Sequence, residues 1–283
     1  MPELPEVETV RRSLIPAIKG AVITDFVVYH PDVFIKTAEP PVIGSALNDI
    51  RRRGKYLLFD LTAADGTPIL MIAHLRMTGK MLLSDIPTEP RKHTHVRFNF
   101  SRSADADRDI ELDFNDTRRF GKIEWLDADA ESRHPGLNIL GPEPLSDDWT
   151  ADDFIAQCKR HPKTTIKSVL LNQSVVAGIG NIYADESLFR AGIHPATRVG
   201  RISQKNLRLL HRVVKETLSE AIGHRGTSFR DYVDGFGKKG GFQLMLHVYK
   251  RDGEPCHICD TPIKKARVAG RGTHFCPKCQ KRY

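Results

Sequence analysis

Cysteine is scarce, tryptophan scarcer, and no apolar run is long. The 283-residue chain holds five cysteines and two tryptophans. A membrane-spanning helix needs about 20 consecutive apolar residues, and no stretch approaches that, so no membrane partner is expected. The opening Met1-Pro2-Glu3-Leu4-Pro5-Glu6 lacks the basic start and apolar stretch of a secretory leader. A soluble intracellular protein is therefore expected. No internal repeat or low-complexity tract is visible, which removes solenoids. Acidic residues are also in deficit, 35 against 43 basic ones, for a formal charge of +8. Such an excess attracts polyanions without naming one. Its placement says more: Lys250–Tyr283 carries nine basic and three acidic residues, most of the net charge in the last 34 positions.

What is present is the makings of a core, with 40% hydrophobic and 28% charged residues, at a length that suggests two domains. Val7, Val10, Leu14 and Ile18 recur at the spacing of one helix face, predicting a helix over Glu6–Ile18. Strand-like runs follow at Ala21–Tyr29, Tyr56–Leu61, Ile69–Leu75, Val96–Phe100, Ile110–Phe114 and Ile123–Leu126. Several alternate apolar with polar and are separated by turn residues, the pattern of an antiparallel sandwich or barrel. The breaker-rich stretch Gly141–Asp148 reads as a linker. Helical segments are expected beyond it, at Thr150–Lys159, Thr165–Gln173 and Asp185–Ala191. A longer one is capped by Ser203, with Leu207, Leu210, Val214, Leu218 and Ile222 on one face. The glycine-rich stretch Asp234–Gly241 is expected to be mobile.

The strongest chemical signal is Cys256-x-x-Cys259, sixteen residues, then Cys276-x-x-Cys279. Two such knuckles complete a tetrahedral thiolate shell, which suits one zinc ion with no open position, hence a structural role. Two disulfides or an iron–sulfur centre are the alternatives; an intracellular setting disfavours the first and the spacing the second. Cys158 stands apart as a buried apolar residue. Between the knuckles, Lys264, Lys265, Arg267 and Arg271, with turns at Pro262 and Gly270–Gly272, read as a hairpin presenting cations to phosphates. A zinc ribbon that binds a protein is the other reading.

Longer motifs run down the chain: Pro2-Glu3-Leu4-Pro5-Glu6-Val7-Glu8, Arg53-Gly54-Lys55-Tyr56-Leu57-Leu58 and His74-Leu75-Arg76-Met77-Thr78-Gly79. Then come Asp116-Thr117-Arg118-Arg119-Phe120-Gly121, Leu140-Gly141-Pro142-Glu143-Pro144-Leu145, Gly178-Ile179-Gly180-Asn181-Ile182-Tyr183-Ala184 and Arg271-Gly272-Thr273-His274-Phe275-Cys276-Pro277. In content and order they resemble the bacterial formamidopyrimidine-DNA glycosylases over nearly the whole chain. The resemblance implies an α+β multidomain fold. An N-terminal β-sandwich flanked by helices would occupy 2–135, with a linker at 136–150. A helix–two-turn–helix domain with a lesion-capping loop would occupy 151–240, and a zinc finger built on a β-hairpin 241–283. The activity implied is a glycosylase and abasic-site lyase of base excision repair, acting on duplex DNA with oxidised purines or abasic sites. One molecule per lesion suffices, so a monomer in the bacterial cytoplasm, at the nucleoid, is expected.

The same resemblance assigns roles. Pro2, once Met1 is removed, is the amine nucleophile, Glu3 the acid, and Glu6 a supporting carboxylate. Lys55 and Arg271 hold phosphate and assist β- and δ-elimination. His74, His93 and Asn181 contact DNA, with Lys163 or Arg160 standing in for a basic contact absent at Pro162. Met77, Arg118 and Phe120 fill the gap left by the extruded base, and Asp231–Gly241 covers it. By themselves Met77 and Phe120 would read as core. Arg76, Lys250 and Asp260 depart from the family, each standing where glycine is usual. Two further readings share some of these residues: an endonuclease VIII-like enzyme for oxidised pyrimidines, and a catalytically inactive zinc-containing protein that marks DNA damage.

Overall fold

The computed structural model describes residues 1–102, 109–229 and 231–283. The chain forms two compact units, one of residues 1–138 with 224–241, the other of 139–223 with 242–283. Among the described residues no helix is long and apolar enough to cross a membrane.

The first unit opens with helix α1 (Leu4–Ile18), whose Val7, Val10, Leu14 and Ile18 are all fully buried. The helix begins two residues before the apolar period predicts. Glu3 forms a capping box with Glu6, and Pro5 sits in the first turn, where its missing N–H costs nothing. Among the described residues nine strands follow: β1 (Val22–Val28), β2 (Phe34–Lys36), β3 (Ala46–Arg53), β4 (Tyr56–Thr62), β5 (Pro68–His74), β6 (Gly79–Ser84), β7 (Thr94–Ser101), β8 (Ile110–Asp116) and β9 (Lys122–Asp127). They hydrogen-bond in the order β2-β9-β5-β4-β3-β1-β7-β8-β6. The link between β1 and β3 is a single register pair, Val22 with Ala46, whereas β1 pairs with β7 along its length. That weak seam lets the two halves fold against each other. Phe59, Met71 and Trp125 from one half share a core with Phe98, Phe100, Leu112 and Phe114 from the other. The result is a sandwich. The six strands expected from alternation are all present. β2, β3 and β6 had no such signal: β2 is three residues long, and a register shift at Leu47/Asp49 breaks the period of β3.

A four-residue helix, α2 (Pro135–Asn138), ends the first stretch of this unit. Residues 224–241 also pack with this unit. Thr227 N–H donates to Glu6, Gly235 N–H to the Ser13 hydroxyl, and Leu83 N–H to the Gly235 carbonyl. The glycine-rich stretch is also tied internally. The buried Asp234 carboxylate accepts from the N–H groups of Phe236 and Lys238 and pairs with Arg225.

The second unit contains α3 (Ala151–Lys159), α4 (Ile166–Leu171), α5 (Asn181–Arg190) and α6 (Gln204–Gly223), then the hairpin β10 (Lys264–Val268) and β11 (Arg271–Phe275). Thr150 and Thr165 cap their helices through side-chain oxygens. α5 starts four residues before the expected Asp185, because Gly178 (φ +84°) and the cap Gly180 turn the chain into it. On α6, Leu207, Leu210, Val214 and Leu218 are buried as the period predicts. The hairpin turn is Ala269–Gly270, both at positive φ, one residue earlier than Gly270–Gly272.

Candidate active site and nucleic-acid interface

In the first unit, Pro2 and Glu3 are buried and Met1 is exposed. Glu3 N–H donates to Glu6 Oε2 at 2.8 Å, and Glu6 Oε1 accepts from Thr227 N–H at 2.8 Å. One carboxylate therefore ties the residue after Pro2 to the loop of residues 224–241. Gly226 (φ +75°) lies so close that a Cβ there would stand 2.8 Å from Glu6 Oε1.

Lys55 sits in the two-residue turn between β3 and β4, buried, behind Gly54 at φ +56°. Arg52 holds this turn: its guanidinium donates to the Gly54 carbonyl and to Glu8 on α1. Burial alone would lift the pKa of Glu8. Hydrogen bonds from Arg11 and Arg12 and the charge of Arg52 outweigh burial and hold it below the usual carboxylate range.

His74 ends β5, edge-on to Tyr56 at 4.5 Å. Burial first, then the charges of Arg76 and Lys55, lower its pKa to about 3, so the ring is neutral at physiological pH. Its Nδ1 accepts from Arg76 N–H at 3.0 Å. That hydrogen bond assigns the ring proton to Nε2, leaving a neutral donor.

Met77, Arg118 and Phe120 come together at the surface. Met77 is 43% and Phe120 51% exposed, so neither is core. The Arg118 guanidinium lies 4.7 Å from the Phe120 ring centroid and donates to Met77 Sδ at 3.2 Å. Asp116, absent from the expected site residues, organises both loops. Its carboxylate accepts from Thr78 Oγ1, Arg118 N–H and Gly121 N–H, and its own N–H donates to the His93 carbonyl. His93 is exposed, at φ +72°.

In the second unit, Asn181 opens α5 and donates through Nδ2 to the Gly272 carbonyl at 2.8 Å. Arg271 is exposed on the same hairpin, with Lys264, Lys265 and Arg267 exposed beside it. Sequence reasoning missed what holds this hairpin. Lys167 and Asp185, both fully buried, pair at 2.6 Å, and Lys167 Nζ reaches Thr273 Oγ1 at 2.8 Å. Asp185 Oδ2 accepts from His274 N–H at 2.9 Å. Lys163 and Pro162 are exposed in the turn before α4.

The Sγ atoms of Cys256, Cys259, Cys276 and Cys279 all lie within 4.8 Å of one another. The separations of 3.4, 3.5 and 3.9 Å exclude disulfides. They bracket the roughly 3.8 Å that tetrahedral Zn–S bonds of about 2.3 Å require. Four thiolates leave no position for a reacting water, so the one zinc ion this site holds is structural.

Family models match in chain order: the formamidopyrimidine-DNA glycosylase N-terminal domain over residues 1–123, its H2TH domain over 140–232, and the zinc finger found in FPG and IleRS over 253–282. The chain belongs to the formamidopyrimidine-DNA glycosylase family. It is 45% identical to the formamidopyrimidine-DNA glycosylase of Symbiobacterium thermophilum, over 99% of this chain and 89% of the relative. It is also similar to a Lactococcus lactis FPG variant solved with Fapy-dG containing DNA (TM-score 0.88, 37% identity, 99% and 100% of the two chains). Another similar structure is L. lactis Fpg with abasic site containing DNA (TM-score 0.86, 37% identity, the same shares). Family membership accounts for the combination seen here, a proline-led helix on a sandwich and a cationic hairpin on a zinc module.

Proposed function

We propose that this glycosylase excises oxidised purines, 8-oxoguanine and formamidopyrimidines, from duplex DNA and then nicks the strand at the resulting abasic site. The observation that carries the reading is the exposed cluster of Met77, Arg118 and Phe120. An aromatic and a thioether braced by a guanidinium, clear of the core, suit a wedge that replaces a base drawn out of the stack. Arg118 offers donors to the base left behind.

The chemistry follows from Pro2. Removal of Met1 frees a secondary amine, and an α-amino group titrates near about 8, against about 10.4 for lysine. More of it is therefore nucleophilic at neutral pH. Attack on the sugar C1′ displaces the base, and the resulting iminium is cationic and withdraws electrons, which eases the β- and δ-eliminations. Glu3 protonates the sugar ring oxygen, and Glu6 fixes its backbone. Lys55 and Arg271 hold phosphates and assist elimination. His74, neutral, donates from Nε2 without adding charge. His93, Asn181 and Lys163 make further DNA contacts, Lys163 compensating for Pro162. The loop to Gly241 covers the extruded base. The zinc finger keeps the Arg271 hairpin in shape. The enzyme works as a monomer in the bacterial cytoplasm, at the nucleoid.

Intact mass after borohydride treatment with lesion DNA tests this. A covalent adduct at Pro2 on protein lacking Met1 is expected; no adduct on lesion DNA defeats the proposal. Competition between 8-oxoguanine and thymine glycol duplexes separates purine from pyrimidine preference, and lesion binding without cleavage would identify an inactive damage marker.

A further inference from the structure

The outer face of β7 and β8 carries a row of polar side chains that the mechanism above does not use. The inner-facing Val96, Phe98, Leu112 and Phe114 belong to the core. The alternate residues Arg97, Glu111, Asp113 and Asn115 are nevertheless also buried, none more than 7% exposed. The segment 86–93 is hydrogen-bonded to this row, and each β8 side chain of the row grips one point along it. Glu111 accepts from Thr88 N–H and Thr88 Oγ1. Asp113 accepts from Arg91 at 3.1 Å, and Asn115 Nδ2 donates to the Lys92 carbonyl at 2.7 Å. Arg97 sits between the two carboxylates. It bonds Asp113 through two nitrogens at 2.7 and 3.0 Å, Glu111 at 3.0 Å and the Thr88 carbonyl at 2.6 Å.

The segment ends at His93, held in the left-handed region at φ +72° between two backbone hydrogen bonds, Thr94 N–H to Arg91 O and Asp116 N–H to His93 O. Two residues on, His95 is the extra one where the β7–β8 register shifts. The side chains of Lys92 and His93 remain exposed. A buried ion pair is a poor source of stability, since apolar replacements of similar volume are often as stable or more so. A strained backbone persists where its surroundings over-determine it. Together these point to positioning.

We propose that Arg97, Glu111, Asp113 and Asn115 form a clamp that fixes the 86–93 backbone so that His93 is presented to a DNA phosphate. These are positioning residues, and the inference rests on the reading of His93 as a DNA contact. The test measures Kd of the full-length, zinc-loaded protein for a duplex containing a non-cleavable tetrahydrofuran abasic analogue, together with the single-turnover excision rate at saturating enzyme. Thr88→Val and Asn115→Ala loosen the strap while leaving Arg97 paired. His93→Ala is expected to raise Kd by about two- to twelvefold, the range of one hydrogen bond. Asn115→Ala and Thr88→Val should raise Kd by no more than that, with the loss in Kd and not in the saturated rate. Neither should weaken binding further in a His93→Ala background. Arg97→Asp should be severely impaired, and Arg97→Asp with Asp113→Arg should recover part of the loss. If His93→Ala binds as the parent does, the contact itself is wrong and the clamp falls with it. If His93→Ala weakens binding but the strap variants bind normally, or multiply its effect in full, His93 is a contact and the clamp is refuted.

Discussion

Lys167 offers a sharp test of how the cationic hairpin is held. Its ammonium lies 2.6 Å from Asp185 Oδ1 and 2.8 Å from Thr273 Oγ1, and both members of the pair are fully buried. Lys167→Met removes the cation and leaves a buried carboxylate with the His274 N–H donor. Stranding one member of a buried pair costs roughly 3–5 kcal/mol, a large part of the 5–15 kcal/mol typical of a domain. Adding Asp185→Asn removes the stranded charge and keeps an oxygen for His274 N–H. The double variant should therefore recover about 2–3 kcal/mol of that loss, the coupling expected within one ionic network. Hydrogen–deuterium exchange of the 264–275 peptide against denaturant measures this directly. Lys167→Met should expose the hairpin amides while peptides of the first unit keep their protection. Affinity for lesion duplex should fall with it, because Arg271 rides on the same hairpin. A loss below about 1 kcal/mol, or a double variant as damaged as the single, would refute the claim that the pair organises the hairpin.

His74 gives a pH signature. Its pKa is about 3 in the folded protein against 6.5 ordinarily. The unfolded chain therefore binds the extra proton, and stability falls as pH drops from 6.5 towards 3, at up to about 1.4 kcal/mol per pH unit. His74→Gln should flatten urea-derived stability between pH 6.5 and 5; an unchanged slope would count against a desolvated ring. Met77→Ala and Phe120→Ala remove exposed side chains, so each should change stability by less than about 0.5 kcal/mol while weakening lesion-duplex binding in a fluorescence titration. A large shift in Tm would return them to the core. Arg76 stands at φ +51°, a conformation that glycine adopts without steric cost. The left-handed conformation costs a side-chain-bearing residue roughly 1–2 kcal/mol, against about 0.5–1 for the freedom glycine loses on folding. Arg76→Gly should therefore stabilise the fold by up to about 1 kcal/mol and, by removing a nearby charge, raise the His74 pKa in an NMR titration. Stripping the zinc with a chelator should release one equivalent of metal and abolish DNA binding while Trp125 in the first unit stays buried by fluorescence.

The features legible in the sequence are those whose physics is local. Helix α1 announces itself because a 3.6-residue period in Val7, Val10, Leu14 and Ile18 is a property of adjacent turns. The zinc site is legible because each Cys-x-x-Cys pair brings its own two sulfurs together. The glycines of the family pattern are legible in reverse: Arg76, Lys250 and Asp260, the departures, all fall at positive φ. The motif Asp116–Gly121 pointed to Arg118 and Phe120 but not to Asp116 as the hub, since a carboxylate's partners on other loops leave no mark on its neighbours in the chain.

Tertiary structure alone decided the rest. Glu111, Asp113 and Asn115 alternate with apolar residues as a solvent-facing row would, and only the folded chain makes that row interior and bonds it to the strap. Lys167 and Asp185 are 18 residues apart in the chain, and Thr273 is 106 residues from Lys167, yet the three share one buried network. Desolvation belongs to the space around a group, so the lost charge of His74 could be assigned only once the burial by its surroundings and the nearby Arg76 and Lys55 were in place.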